Sequence, residues 1–336
     1  MLKRCMIAGM LALAAGCAPR NDGYTTVDGT MLGTTLHVAA DVQGIGPREL
    51  RTAIMELDRE AKASMSIFDE NSLLSRLNRN ETDSVDRHIA YCLALADSIG
   101  ALSAGRYDVT VKPLVEAWGF AGRERTGEPN VDSLLEFVGR EKAAISGGRL
   151  VKSDPRVQLD FNSVAKGYTV DLLAALLESF GARNYIADIG GEVRCKGVNP
   201  RGTPWRIGVE TPFDGNMTAG EYLQKRIAMT DGALATSGNY RRYYVDEEGR
   251  KVAHTIDPRT GRSALSRLLS VTVAAPSCAE ADALGTMFLA MGADDALATA
   301  EGMPDVKVYF ILAGENGEEY EEYISPAMRA LIMEER

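Results

Sequence analysis

Residues 143–189 read AAISGGRLVKSDPRVQLDFNSVAKGYTVDLLAALLESFGARNYIADI. Ala143–Ser146 and Leu150–Lys152 are short strand-like runs around Gly147-Gly148-Arg149, the layout of a hairpin. Val164–Phe180 follows as a helix closed by Gly181, since glycine takes the left-handed conformation beyond a helix end without a Cβ clash. Tyr185–Ile189 then reads as a strand. A hairpin, a helix and a separate strand do not make the repeating unit of a doubly wound sheet. They predict an α+β fold.

Working outward keeps that reading. On the N-terminal side Thr34–Ala40 is a strand, and Pro47–Met65 is a helix with Leu50, Ile54, Leu57 and Ala61 at helical spacing. Arg87–Ser103 is a second helix, with Ile89, Leu93, Ala96 and Ile99 on one side. On the C-terminal side Trp205–Glu210, Arg226–Thr230, Arg241–Val245 and Leu269–Ala274 read as strands, and Glu247-Glu248-Gly249 as a hairpin turn. Cys278–Met291 is a helix ending before Gly292, and Val306–Leu312 is a late strand. With no internal repeat, no low-complexity segment and no dividing linker, residues 27–336 read as one domain. Its hairpin-rich, mixed sheets are packed by helices.

The first residues stand apart. Lys3 and Arg4 precede an apolar run, Met6–Ala15, that ends in Ala14-Ala15-Gly16-Cys17. This is the layout of a secretory signal, and the run is too short to span a bilayer as a helix. Small residues before a cysteine predict lipoprotein processing: residues 1–16 removed, Cys17 acylated, and residues 17–26 left as a lipidated tether. Leu13 lies one place further from Cys17 than is usual, and ordinary signal cleavage beside an incidental cysteine is the alternative. The expected location is the outer face of the cytoplasmic membrane or the periplasm, with two acyl signals giving firm anchorage.

The chain has 37 Lys and Arg against 47 Asp and Glu, a net charge of −10, and no basic block, which disfavours nucleic acid as a partner. At 45% apolar residues it can bury a substantial core. Cys92, Cys195 and Cys278 are far apart in sequence, so buried inert thiols are expected rather than a zinc or redox site.

Four segments carry chemistry. There is neither G-x-x-x-x-G-K-S/T nor G-x-G-x-x-G after a strand, so phosphates would be held by other means. In Asp160-Phe161-Asn162-Ser163-Val164-Ala165-Lys166-Gly167-Tyr168 a helix starts near Ser163, and its free N–H groups with Lys166 suit an anion. Ser163 or Asn162 could equally be a plain helix cap. Thr236-Ser237-Gly238-Asn239-Tyr240 precedes His254-Thr255-Ile256-Asp257-Pro258-Arg259-Thr260-Gly261. His254 is one of three histidines, either a structural residue or a base near neutral pH. In Ala281-Asp282-Ala283-Leu284-Gly285-Thr286 a carboxylate and a hydroxyl fall one turn apart, a pair suited to Mg²⁺ or, for Asp282 alone, to the helix dipole. Gly105-Arg106-Tyr107-Asp108, with Trp118-Gly119-Phe120, offers aromatics that could stack on a planar ring or fill the core.

In this order the four segments resemble one family, the FAD:protein FMN transferases, once called ApbE thiamine-biosynthesis lipoproteins. The resemblance takes in Met31-Leu32-Gly33-Thr34-Thr35, Ser64-Met65-Ser66 with Ser75-Arg76-Leu77-Asn78, and Ile189-Gly190-Gly191 before Trp205. It therefore runs from about residue 27 to the C-terminus. Leu32 interrupts the usual Met-Gly-Thr, and Leu73 stands where an acidic residue is common; both departures bear on flavin contact.

The resemblance implies an ApbE-like domain that binds Mg²⁺ through Ser163, Asp282 and Thr286. It implies FAD contacts at Met31, Phe68, Arg106, Tyr107, Asp108, Asp160, Lys166 and Ile256. His254 would be the base, with Asp257 orienting it or holding the turn. The implied reaction moves FMN from FAD to a threonine hydroxyl of an acceptor flavoprotein, a subunit of a membrane redox complex, and releases AMP. A Mg²⁺-dependent FAD pyrophosphatase and a non-catalytic FAD-binding lipoprotein are the alternatives; the presence of His254, Asp282 and Thr286 together argues against the second.

Overall fold

Two strands, β1 (Thr25–Met31) and β2 (Thr34–Ala40), form an antiparallel hairpin. Leu32 and Gly33 turn it, both at positive φ (51° and 78°), as two-residue hairpin loops require. The inserted Leu32 is thus a turn residue, tied by its N–H to Asp58. In this computed structural model residues 23–121, 127–213, 221–239, 243–246, 249, 251–314 and 319–334 are described. The signal, Cys17, Tyr240, Arg241 and the Glu247-Glu248 turn lie outside them. The expected tether overlaps β1, whose pairing begins at Thr25, and Tyr24 already donates to the Val198 carbonyl at 2.6 Å.

Helix α1 (Pro47–Met65) starts with Glu49 accepting from the Gly46 N–H and buries Leu50, Ile54 and Ala61. Ser72 caps α2 (Leu73–Asn78), and Asp86 caps α3 (Arg87–Leu102), which buries the expected Ile89, Leu93, Ala96 and Ile99. Two short helices, α4 (Lys112–Ala117) and α5 (Val131–Leu135), precede the expected hairpin of β3 (Ala143–Ser146) and β4 (Arg149–Lys152). Helix α6 (Ala165–Ser179) ends near Gly181 at φ 77°. Then come β5 (Tyr185–Ile189), β6 (Glu192–Lys196), β7 (Trp205–Glu210), β8 (Leu223–Met229) and β9 (Asp231–Gly238). Short pairs follow, β10 (Tyr243–Val245) with β11 (Lys251–Ala253) and β12 (Ile256–Asp257) with β13 (Arg262–Ser263). The chain continues through β14 (Leu268–Ala275), α7 (Cys278–Met291), α8 (Ala293–Glu301), β15 (Lys307–Ala313), β16 (Tyr320–Ile324) and α9 (Pro326–Arg329).

Eight of these strands make one sheet in the order β1-β2-β5-β6-β9-β14-β15-β16, antiparallel at every pairing. Alternate residues serve opposite faces. Ala233, Ala235, Val271, Val273 and Phe310 pack with the helices, whereas Val193, Leu234, Ala274, Tyr309 and Ile311 meet Trp205, Ile207 and Ile227 of the β7–β8 pair. The α+β reading holds. Helices α6 and α7 lie side by side over β5, β6, β9 and β14, and this pairing positions the site. Cys92, Cys195 and Cys278 are free and buried, and burial pushes the Cys195 thiol up to about 12, so they are inert as expected.

Candidate active site

The entry to α6 is built by hydrogen bonds that leave Ser163 to the cavity. Asn78 of α2 clasps Leu159, accepting from its N–H at 2.7 Å and donating to its carbonyl at 2.8 Å. Asp160 Oδ1 accepts from the Asn162 N–H at 2.8 Å, and Ala165 N–H donates to Phe161 O. The helix begins at Ala165, and its N-cap position is Val164, without a side-chain cap. Neither Ser163 nor Asn162 caps it, which corrects the structural alternative. The Ser163 hydroxyl instead meets the Tyr107 hydroxyl at 2.9 Å.

Next to it, α6 and α7 cross in close contact. The Gly167 N–H donates to Asp282 Oδ2 at 3.0 Å, and a Cβ at Gly167 would lie 2.3 Å from the Cys278 carbonyl oxygen. Glycine is required by that approach. Asp282 is 4% exposed, and burial pushes its carboxyl above the usual carboxylate range, with Lys166 and the Gly167 N–H pulling back. Thr286 follows one turn later on α7.

These groups open on one cavity of about 290 Å³. Of the residues expected from sequence, Arg106, Tyr107, Asp108, Asp160, Ser163, Lys166, His254, Ile256, Asp282 and Thr286 line it. Val111, Val115, Phe120 and Leu289 add apolar wall. Arg106 donates to the Met291 carbonyl at 2.9 Å and pairs with Asp295, so its charge sits at the C-terminal end of α7, where the helix dipole favours a cation. Tyr107 stays protonated because burial raises it, and Asp108 and Asp160 are raised by burial as well. His254 is half-buried, with Phe120 edge-on at 6.3 Å. The next residue, Thr255, donates to Asn239 Oδ1 at 2.8 Å and ties the histidine segment to the end of β9.

Three expected residues lie elsewhere. Met31 is buried in the core of β1, β2, α1 and α6, because its place in β1 turns it to the helix side. Phe68 is 61% exposed in the loop after α1 and does not line the cavity. Asp257 serves its own turn: its carboxylate accepts from the Arg259 N–H at 2.9 Å and pairs with the Arg259 side chain, and its carbonyl accepts from Gly261. Leu73 opens α2 and packs on the main core, also away from the cavity.

Glu192 was missed by sequence reasoning. It begins β6 just after the Gly190-Gly191 turn, is 3% exposed, lines the cavity and meets Lys166 at 2.6 Å. Burial pushes its carboxyl up to about 7, with Lys166 pulling down and Asp282 pushing up. Burial lowers the Lys166 ammonium, but the Glu192 and Asp282 carboxylates more than offset that and keep it charged. A glutamate after two glycines reads as a surface charge, so only its Gly-Gly neighbours gave a signal.

The donors Asp282, Thr286 and Ser163 are all hard oxygens, and Asp282 is a buried carboxylate not fully compensated by its neighbours. Such a set fits Mg²⁺, which keeps several waters and needs few protein ligands. Among the described residues no group of three or more His, Cys, Asp or Glu side chains is placed to hold a metal ion.

A family model described as the ApbE family matches residues 32–310. An FAD:protein FMN transferase of Vibrio cholerae is 35% identical over 96% of each chain, and one of Haemophilus influenzae is 35% identical over 93% of each. The solved structure of the flavin transferase ApbE from Vibrio cholerae superposes with a TM-score of 0.80 at 34% identity. It covers 92% of this chain and 99% of that one.

Proposed function

This chain belongs to the ApbE family, and on that premise we propose that it is an FAD:protein FMN transferase that depends on Mg²⁺ and modifies a threonine hydroxyl. The observation that carries the reading is convergence: Ser163, Lys166, His254, Asp282 and Thr286 come from three distant segments and line one cavity. That cavity has an anion-binding side and an apolar side, as a molecule with a pyrophosphate and a flat ring needs.

The phosphorus of the FMN half is attacked by the threonine oxygen, the phosphorus–oxygen bond to AMP breaks, and AMP leaves. Lys166 holds phosphate oxygens against the developing charge. His254 takes the threonine proton, as the group in the cavity whose ordinary range lies nearest neutrality. Asp257 keeps the His254-to-Gly261 turn in shape. Ser163, Asp282 and Thr286 would hold Mg²⁺, which when bound neutralises charge on the pyrophosphate.

Cys17 as a lipid anchor, with residues 1–16 removed, would place the domain on the outer face of the cytoplasmic membrane or in the periplasm. The acceptor is then a flavin-carrying subunit of a membrane redox complex. The test is an intact mass of an acceptor subunit after incubation with protein, FAD and Mg²⁺. A gain of one FMN, absent with EDTA and absent with His254→Ala that still binds FAD, supports the reading. Free FMN and AMP with an unmodified acceptor would replace it with a pyrophosphatase; loss of FAD binding in His254→Ala would make the histidine a ligand.

A further inference from the structure

Lys166 and Glu192 face each other across the cavity wall with unequal freedom. The lysine side chain is 34% exposed and sits on a flexible stem, whereas the glutamate side chain is 4% exposed and held in β6. An anion entering the cavity can therefore draw the ammonium towards itself, while the carboxylate cannot follow. The groups facing Glu192 are Lys166 of α6, Asp282 and Cys278 of α7, and Asp188 of β5, itself close to His37 of β2. Lys166 stabilises its charge, whereas Asp282 and Asp188 oppose it. A buried carboxylate that loses its cation to a rival anion must take up a proton.

We propose that Glu192 is the positioning partner of Lys166, and that a pyrophosphate takes over the ammonium as Glu192 accepts one proton from solvent. The inference rests on the proposed function, because it takes FAD as the pyrophosphate ligand. The empty-site value near 7 puts the exchange in the physiological range. The bound state has the higher affinity for that proton, so FAD binds best below this range and more weakly as pH rises through it. FAD is a diester whose pyrophosphate stays fully ionised here, so the ligand adds no titration of its own.

The experiment measures dissociation constants of FAD and of riboflavin, which lacks the pyrophosphate, by flavin fluorescence in EDTA. From about pH 6 to about pH 8.5 the FAD constant of the unaltered protein should rise roughly five- to tenfold, with riboflavin flat. Glu192→Gln should remove the pH dependence and hold FAD at its low-pH affinity. Calorimetry of the unaltered protein at pH 7 in two buffers of different ionisation enthalpy should report net proton uptake on FAD binding, which needs no variant. A flat profile without proton uptake overturns the proposal while leaving FAD binding intact. A dependence that survives Glu192→Gln assigns the proton to another group, such as His254, and overturns it too. If the protein bound neither ligand, the proposed function itself would fall.

Discussion

At Asp282 burial and function pull against each other. The buried carboxyl titrates above the ordinary aspartate range, so its charged form opposes folding. The sign follows: the penalty is absent below the unfolded-state value, grows as pH rises towards the folded-state value, and is complete above it. Asp282→Asn removes that charge and keeps an oxygen for the Gly167 N–H. In EDTA at pH 7.5 its Tm should therefore be higher than that of the unaltered protein by about 2 °C. The proposed metal site predicts that Mg²⁺ raises the Tm of the unaltered protein; the same variant should lack that gain, and FMN transfer should fall by about 100-fold or more. Thermal scans with and without Mg²⁺ read this; a variant that still gains from Mg²⁺ would remove Asp282 from the ligand set. Asp282 with Thr286 and His254 before Asp-Pro stood out as short runs with chemistry to offer, but each also had a structural reading, and the site roles came only with the resemblance of the ordered segments to one family. Met31 and Phe68 also came from the resemblance and do not line the cavity; a resemblance carries a position along the chain and not the direction of a side chain. Glu192 was silent because its meaning comes from Lys166, distant in sequence.

Among elements, the α6–α7 crossing does the positioning, and it depends on small residues. Gly167 lets the Cys278 carbonyl approach, and Gly285 does the same for Ser237 of β9, whose hydroxyl would lie 2.8 Å from an added Cβ. Backbone carbonyl oxygen cannot swing aside as a long side chain can. Gly167→Ala should therefore push the helices apart and destabilise the protein by about 2 kcal/mol, read from chemical denaturation midpoints. It should also abolish Mg²⁺-dependent stabilisation, because Asp282 loses its N–H partner and its place beside Ser163. A variant with normal stability and metal response would mean that the crossing relaxes freely. The same smallness hid β9 from sequence. Asp231–Gly238 reads DGALATSG, poor in the branched and aromatic residues that mark strands, yet it is a central strand pressed against α7. Long amphipathic α1 and α3 were legible by period, and the β3–β4 hairpin by its glycines. Strand β1 was lost to a polar composition that resembled a tether, because only its pairing with β2 reveals it.

For the whole molecule, one face of the sheet carries the helices and the cavity, and the other is closed by β7 and β8. No helix among the described residues is long and apolar enough to cross a membrane. Because β1 starts at Thr25, an acylated Cys17, as proposed, would leave a chain that reaches at most about 28 Å when fully extended. On the proposed anchor, a domain on so short a leash would stay close to the bilayer, and an acceptor in the same membrane would meet it at a raised effective concentration. Cys17→Ala should move the protein from the membrane fraction to the soluble fraction and leave transfer to a soluble acceptor domain within about twofold. Transfer to the membrane-embedded acceptor at low enzyme concentration should drop by roughly tenfold or more. Fractionation followed by acceptor mass analysis checks both parts. If Cys17→Ala stayed with the membrane, another part of the protein would be the anchor; if both acceptors slowed equally, Cys17 would act through the fold rather than through proximity.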